Sequence, residues 1–254
     1  MTSALRLLGA LLAIWVSSWL SLGLLWGNPT LLLHPLQAPE GLRVAYLVLL
    51  YGGLVTVVVQ FWKRYPPLRP VLWGSRAEVA GLWLMGLTSA LTQRLVLLLG
   101  GHWVGGGWPG WSAWCSAALL APPLAAIEEL VFRGYLYAVL RDAWGRARAA
   151  LGVSAFFALV HLFRPGDPTF KAAYGLGLML VGLLLVLVVE RVGIWGAAAL
   201  HSAWISVNIL DPPGRVLGGW WAGLGGEPTA GLCSWLLLLA LAGFCWMRLG
   251  KKPG

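Results

Sequence analysis

Eight long apolar runs, separated by short charged or Gly/Pro-rich stretches, constrain this chain more than any other feature. The runs are approximately Leu5–Trp26, Leu42–Trp62, Ala77–Leu99, Trp111–Leu140, Ala147–Phe163, Ala172–Glu190, Ile194–Leu210 and Ala230–Leu249. Most reach the ~20 residues that a helix needs to cross a hydrocarbon layer of ~30 Å, and the shorter ones draw on their flanks. Charged residues make up 11% of the chain, against roughly 25% in a soluble domain, too few to cover a water-facing surface. The 17 tryptophans suit helices that end at a membrane–water interface. The expected fold is all-α, a polytopic bundle of about eight transmembrane helices forming one transmembrane domain over residues 1–254.

The fourth run is too long for one straight span, and Pro122-Pro123 is expected to break or kink it, because proline removes a donor and crowds the preceding turn. Gly100–Gly110 reads as a loop. The run after Arg6 does not end in the small residues of a cleavable signal, so it reads as a spanning helix.

A net charge of +9 raises the question of nucleic acid, yet the basic residues form no stripe and no binding motif, so no nucleic-acid partner is expected. Cys115, Cys233 and Cys245 lie in apolar runs without zinc-ligand spacing and imply no disulfide framework. With eight spans, one side of the membrane carries Arg6, Lys63, Arg64, Arg69, Arg76, Arg141, Arg146, Arg148, Arg191, Arg248, Lys251 and Lys252. The other carries Arg43, Arg94, Arg164, Lys171 and Arg215. The positive-inside rule then places both termini in the cytoplasm.

Ionisable residues inside a membrane cost about 2.5–3.5 kcal/mol each on insertion scales, so each needs a reason. Glu128, Glu129, Arg133, His161 and His201 all fall inside apolar runs. At 1.5 Å per residue, Glu128 lies ~20 Å from Arg141, His161 ~20 Å from Arg148 and His201 ~15 Å from Arg191. Three helices therefore carry an acid and two imidazoles to nearly one depth. Glu129 and Arg133 are four apart and stack as an ion pair, whereas Glu128 points about 100° away, toward a central cavity. Taken singly, a buried Glu–Arg pair is structural glue and a lone helical histidine is a packing residue. Their conjunction argues for chemistry: a carboxylate and an imidazole sharing a proton can activate water. His34 and His102, in connections, read as surface residues.

These residues fall into a recognisable order. Glu128-Glu129-Leu-Val-Phe-Arg133 matches an E-E-x-x-x-R motif, and Phe157-Ala-Leu-Val-His161 an F-x-x-x-H motif. His201, after Glu190-Arg191-Val-Gly193, is similar to the start of a third motif, H-x-x-x-N. Over roughly Ala121–Leu210 the chain resembles the CAAX protease and bacteriocin-processing family of intramembrane endopeptidases, whose members include the type II CAAX prenyl endopeptidases. The resemblance implies an eight-helix fold and hydrolysis of a peptide bond in a membrane-embedded cavity. Glu128 with His161 would activate the water, His201 and an asparagine would hold the oxyanion, and Glu129 and Arg133 would support the site. It also implies a peptide or protein substrate, a lipid bilayer as surroundings, a bacterial plasma membrane as location and no cofactor.

At one position the chain departs from the family. Four residues after His201 stands Ile205, which has no side-chain donor. Asn208 lies on nearly the same helix face but about 5 Å further along, and can stand in only if the helix is locally displaced. Two alternatives remain open: a zinc protease with Glu128, His161 and His201 as ligands, though without an H-E-x-x-H pair, and a weakly active or inactive scaffold of the same fold.

Overall fold

The computed structural model describes residues 6, 9–14, 16–18, 20, 40–64, 74–103, 109–162, 166–210 and 216–249. Much of the expected first span Leu5–Trp26 lies outside these residues, as do His34, Arg69, Arg164, Arg215, Lys251, Lys252 and part of the Gly100–Gly110 loop. The described chain is helical: α1 (Glu40–Arg64), α2 (Arg76–Leu99), α3 (Trp111–Glu129), a π-helical segment (Leu130–Leu136), α4 (Tyr137–Trp144), α5 (Arg146–His161), α6 (Pro168–Arg191), α7 (Ile194–Leu210) and α8 (Leu232–Arg248). Among the described residues, the extended pairings are the isolated bridges Trp103–Val216 and Gly219–Gly223.

The protein is an all-α polytopic membrane bundle. Val44–Lys63, Arg76–Leu99, Trp111–Trp144 and Pro168–Arg191 are long and apolar enough to cross a membrane, while Ile194–Leu210 and Leu232–Arg248 are shorter apolar helices. Local chemistry fixes several ends. Ser75 and Glu78 form a reciprocal capping box at the start of α2. The Asp167 carboxylate caps α6 by accepting from the Phe170 N–H at 2.8 Å, with Pro168 next to it.

The break expected at Pro122-Pro123 is not there. α3 continues through both prolines, and the irregularity falls later, in seven residues of π-helix from Leu130 to Leu136. A membrane helix tolerates missing proline donors where neighbouring groups resatisfy its backbone. The widened turn instead follows the two glutamates and contains Arg133, and π segments of this kind recur at functional sites.

Close packing comes from small residues, as it does where lipid removes most of the hydrophobic drive. A Cβ on Gly86 of α2 would stand 2.6 Å from the Leu200 carbonyl oxygen and 2.9 Å from the Ala203 Cβ of α7. Further along the same pair, the Trp204 indole donates to Ser89 at 2.9 Å. The pairings advance in step along both chains, so α2 and α7 run parallel and in close contact. A second core layer packs Val131, Tyr135 and Leu136 against Ala149, Val153 and Phe157.

The basic helix ends gather at one end of the bundle. The Tyr137 hydroxyl donates to Glu190, Arg146 lies 3.8 Å from the same carboxylate, and Arg191 donates to the Leu249 carbonyl at 2.6 Å. Gly74, just before α2, faces Val192. Arg94 lies inside α2, as the run Ala77–Leu99 places it, and is 8% exposed.

Candidate active site

Three chain segments bring the sequence-selected residues to one cavity of about 420 Å³. Glu128 comes from the end of α3, His161 from the last residue of α5 and His201 from the middle of α7, and all three line it. Apolar walls come from Leu124, Leu178, Val181, Trp204 and Leu238.

Glu129 and Arg133 do not line the cavity; they sit behind it, almost without solvent contact. Arg133 Nη1 donates to Glu129 Oε1 at 3.0 Å, the ion pair that the spacing predicts. The same oxygen accepts from His201 Nδ1 at 2.9 Å. One carboxylate oxygen thus joins the cation to the imidazole. Because a carboxylate only accepts, the His201 proton sits on Nδ1, and Nε2 faces the cavity side. His201 Nε2 stands 3.9 Å from Glu128 Oε2, too far for a direct hydrogen bond and near enough for both to touch one small group between them.

The other oxygen of Glu128 is engaged. The Tyr51 hydroxyl of α1 donates to Oε1, leaving Oε2 as the carboxylate's second acceptor. Sequence reasoning missed Tyr51, since one tyrosine in an apolar helix carries no motif. Its two glycine neighbours, Gly52 and Gly53, carry none either.

Phe157 is the spacer of the site. Its carbonyl accepts from His161 Nδ1 at 2.7 Å, which puts the lone pair of a neutral His161 on Nε2. Its ring lies tilted against the His161 ring at 4.5 Å, meets the His201 ring edge-on at 6.2 Å, and lies 4.2 Å from the Arg133 guanidinium. A single phenylalanine therefore orients both imidazoles and covers the cation's face. Among the described residues, Arg133 Nε and Nη2, Glu129 Oε2 and Ser154 Oγ are buried without a hydrogen-bond partner.

A second polar group lies on the same cavity. Arg94 Nη2 donates to Asn208 Oδ1 at 3.0 Å and Nη1 to Gln93 Oε1 at 2.7 Å. Gln93 in turn donates to Ser234, and Ser234 to the Pro228 carbonyl. Ile205 also lines the cavity, between the levels of His201 and Asn208. α7 is regular α-helix from Ile194 to Leu210, so the local displacement that would carry Asn208 back to the level of position 205 is not present. His102 does not line the cavity.

Among the described residues no three His, Cys, Asp or Glu side chains are placed to hold a metal ion together.

A carboxylate and two imidazoles opening on a cavity within an apolar helical bundle define a membrane-embedded site suited to acid–base hydrolysis. A sequence model of the type II CAAX prenyl endopeptidase Rce1-like family matches residues 107–207, so that segment is similar to this family. No curated protein matches the chain. The matched segment contains Glu128, Glu129, Arg133, His161, His201 and Ile205, and leaves Tyr51, Arg94 and Asn208 outside it. The family is one of intramembrane proteases, acting on peptide or protein substrates at the membrane.

Proposed function

We propose that the protein is an intramembrane endopeptidase in which Glu128 and His161 activate water and His201 holds the oxyanion, without a metal. The observation that carries this reading is the convergence of Glu128, His161 and His201 on one cavity, from three separate segments. Oε2 of Glu128 takes a proton from water as the hydroxide oxygen attacks the substrate carbonyl carbon. His161, its Nδ1 proton committed to the Phe157 carbonyl, offers Nε2 as the partner that shares that proton. The proton then passes to the amide nitrogen as the C–N bond breaks, leaving a carboxylic acid and an amine. Positioned acid–base groups of this kind contribute about 10²–10⁴ in rate.

His201, tethered through Nδ1 to Glu129, presents Nε2 to the cavity; protonated there as well, it donates to the developing oxyanion. Glu129 and Arg133 support the site by fixing that ring. Position 205 supplies no donor, so His201 acts alone at that level, and Asn208 contacts substrate one turn further along. The chain would sit in a bacterial plasma membrane with both termini in the cytoplasm, on the side where the basic helix ends gather.

The test is proteolysis by the full chain in liposomes, comparing wild type with Glu128→Gln in the presence and absence of a zinc chelator. Turnover by wild type that persists with chelator and vanishes in Glu128→Gln is the expected result. Equal turnover by the variant removes Glu128 from the chemistry, and loss on chelation favours the zinc alternative. A folded wild type with no turnover favours the scaffold.

A further inference from the structure

The two ends of the bundle differ in what crosses between the helices. At one end Arg146 and Tyr137 meet Glu190, Gly74 faces Val192, and the Arg191 guanidinium lies 4.7 Å over the Trp246 ring. At the other, Trp103 pairs with Val216, and the Leu217 N–H donates to the His102 carbonyl at 2.8 Å. There too the Leu232 N–H donates to the Trp220 carbonyl at 2.9 Å, and a Cβ on Gly225 would stand 3.1 Å from the Phe170 ring. The ends of α2 and α7 and the starts of α6 and α8 therefore share one level, with Arg76, Arg146, Arg191 and Arg248 at the opposite one.

The cavity is not centred between these levels. Along α2, α6 and α7 its wall residues nearest the basic end are Ser89, Val181 and His201, at ~20 Å from Arg76 and ~15 Å, twice, from Arg191. On α8 the wall reaches back to Leu241, ~10 Å from Arg248. Toward the other end it continues to Gln93, Tyr174 and Asn208, only ~9 Å from Leu99, ~9 Å from Pro168 and ~3 Å from Leu210. His161 is the last residue of α5, and Ser234 the third of α8. Glu227, Pro228 and Thr229, from the segment joining α7 to α8, complete the wall there. That segment also carries Trp220 and Trp221, 55% and 42% exposed, as suits a membrane surface.

The way to the basic end is filled. Leu82, Leu184, Leu185, Val188, Val192 and Ala197 form one apolar cluster there, none more than 3% exposed. Tyr135, Leu136, Ala149 and Val153 belong to a second, equally dry. Charge then assigns the sides. Among the described helix ends, Arg76, Arg141, Arg146, Arg148, Arg191 and Arg248 belong to the filled end, against Arg43 near the start of α1 and Lys171 near the start of α6. The positive-inside rule puts the filled end in the cytoplasm.

We propose that the cavity takes its substrate from the extracytoplasmic half of the membrane, so that the peptide it cuts has already crossed the bilayer. This sidedness rests on the peptidase reading and the orientation given above, and adds the class of substrate: an exported or membrane-inserted polypeptide, cut on its extracytoplasmic side, and not a cytoplasmic C-terminus.

The test reads the side from which the cavity is reached, without turnover. The full chain, with Cys115, Cys233 and Cys245 changed to alanine, receives one new cysteine at a time. Ile205→Cys and Leu238→Cys report on the cavity, Ala147→Cys on the exposed start of α5, and Leu217→Cys on the segment between α7 and α8. Membrane-impermeant sulfonatoethyl methanethiosulfonate is added to spheroplasts and to inverted membrane vesicles of an expressing bacterium. Both cavity variants that fold, and Leu217→Cys, should react in spheroplasts and not in inverted vesicles, with Ala147→Cys the reverse. Cavity cysteines that react from the vesicle side, or from neither side, overturn the proposal. Ala147→Cys reacting in spheroplasts reverses the orientation and overturns it as well.

A second measurement supplies sulfonated, membrane-impermeant quenched-fluorescent peptides of mixed sequence to the same two preparations. Wild type should cleave them in spheroplasts, with loss of cleavage in Glu128→Gln and none by either protein in inverted vesicles. Cleavage confined to inverted vesicles and lost in Glu128→Gln overturns the sidedness and leaves the peptidase reading intact. Equal signals from wild type and Glu128→Gln on both sides sink the peptidase reading, and the substrate class with it, whichever way the labels fall.

Discussion

Replacing Glu129 with glutamine removes one charge from a pair that has almost no solvent to fall back on. Glu129 is 0% and Arg133 1% exposed, with 3.0 Å between the charged atoms. Breaking a buried pair from one side costs about 3–5 kcal/mol, because the remaining charge stays buried without its counter-charge. Two features place Glu129→Gln toward the lower end of that range. The glutamine oxygen can still accept from His201 Nδ1, and Arg133 keeps the face of Phe157, 4.2 Å away. Arg133→Met should cost a similar amount, since it leaves the Glu129 carboxylate with His201 as its remaining named partner. Carrying both changes, the protein buries no unpaired charge, retains the acceptor for His201 and fills the space with a flexible apolar chain. The double variant should then lie within ~1 kcal/mol of wild type, because apolar replacement of a whole buried pair is often neutral. Equilibrium unfolding of the four proteins in detergent, titrated with denaturant, measures the cycle. A double variant as unstable as the sum of the two single ones, ~6 kcal/mol or more, would refute the coupling and with it the account of Glu129 as the shared acceptor.

Four further outcomes follow from the same geometry. His161→Ala and His201→Ala should each slow peptide cleavage at least about a hundredfold with little change in Tm, and a loss confined to one of them would break the two-imidazole mechanism. Ile205→Asn should raise the cleavage rate by up to ~10²-fold, because position 205 lines the cavity and lacks a donor; an unchanged rate would show that no second donor is needed there. Tyr51→Phe should lower kcat more than it raises KM, since the hydroxyl holds one oxygen of Glu128; a pure KM effect would make Tyr51 a substrate contact instead. Gly86→Ala should lower Tm in detergent, as its Cβ would stand 2.6 Å from the Leu200 carbonyl oxygen and overpacking of this kind costs about 1–3 kcal/mol; a Tm equal to wild type would mean that α2 and α7 separate freely.

The sequence by itself determined the helices and the ionisable residues that share the cavity. Ile194–Leu210 and Leu99, where α2 ends, fall where the apolar runs place them, because a chain that must satisfy its backbone inside lipid has little choice but helix. The i,i+4 spacing of Glu129 and Arg133 sufficed for their ion pair, and depth counted along three helices sufficed to bring Glu128, His161 and His201 to one level. Both are local arithmetic on a regular repeat. What the tertiary structure decided lies across helices. Tyr51 meets Glu128 over 77 positions of chain, and Arg94 meets Asn208 over 114; neither pairing leaves a trace in spacing or composition. A basic residue near the end of an apolar run looks the same in sequence whether it meets solvent or turns inward, as Arg94 does. The break expected at the two prolines is absent for a related reason. Their local cost is fixed by covalent geometry, but where a helix yields depends on which neighbours resatisfy its backbone, and here it yields at Leu130–Leu136, beside the two glutamates, where Glu129 pairs with Arg133 and His201.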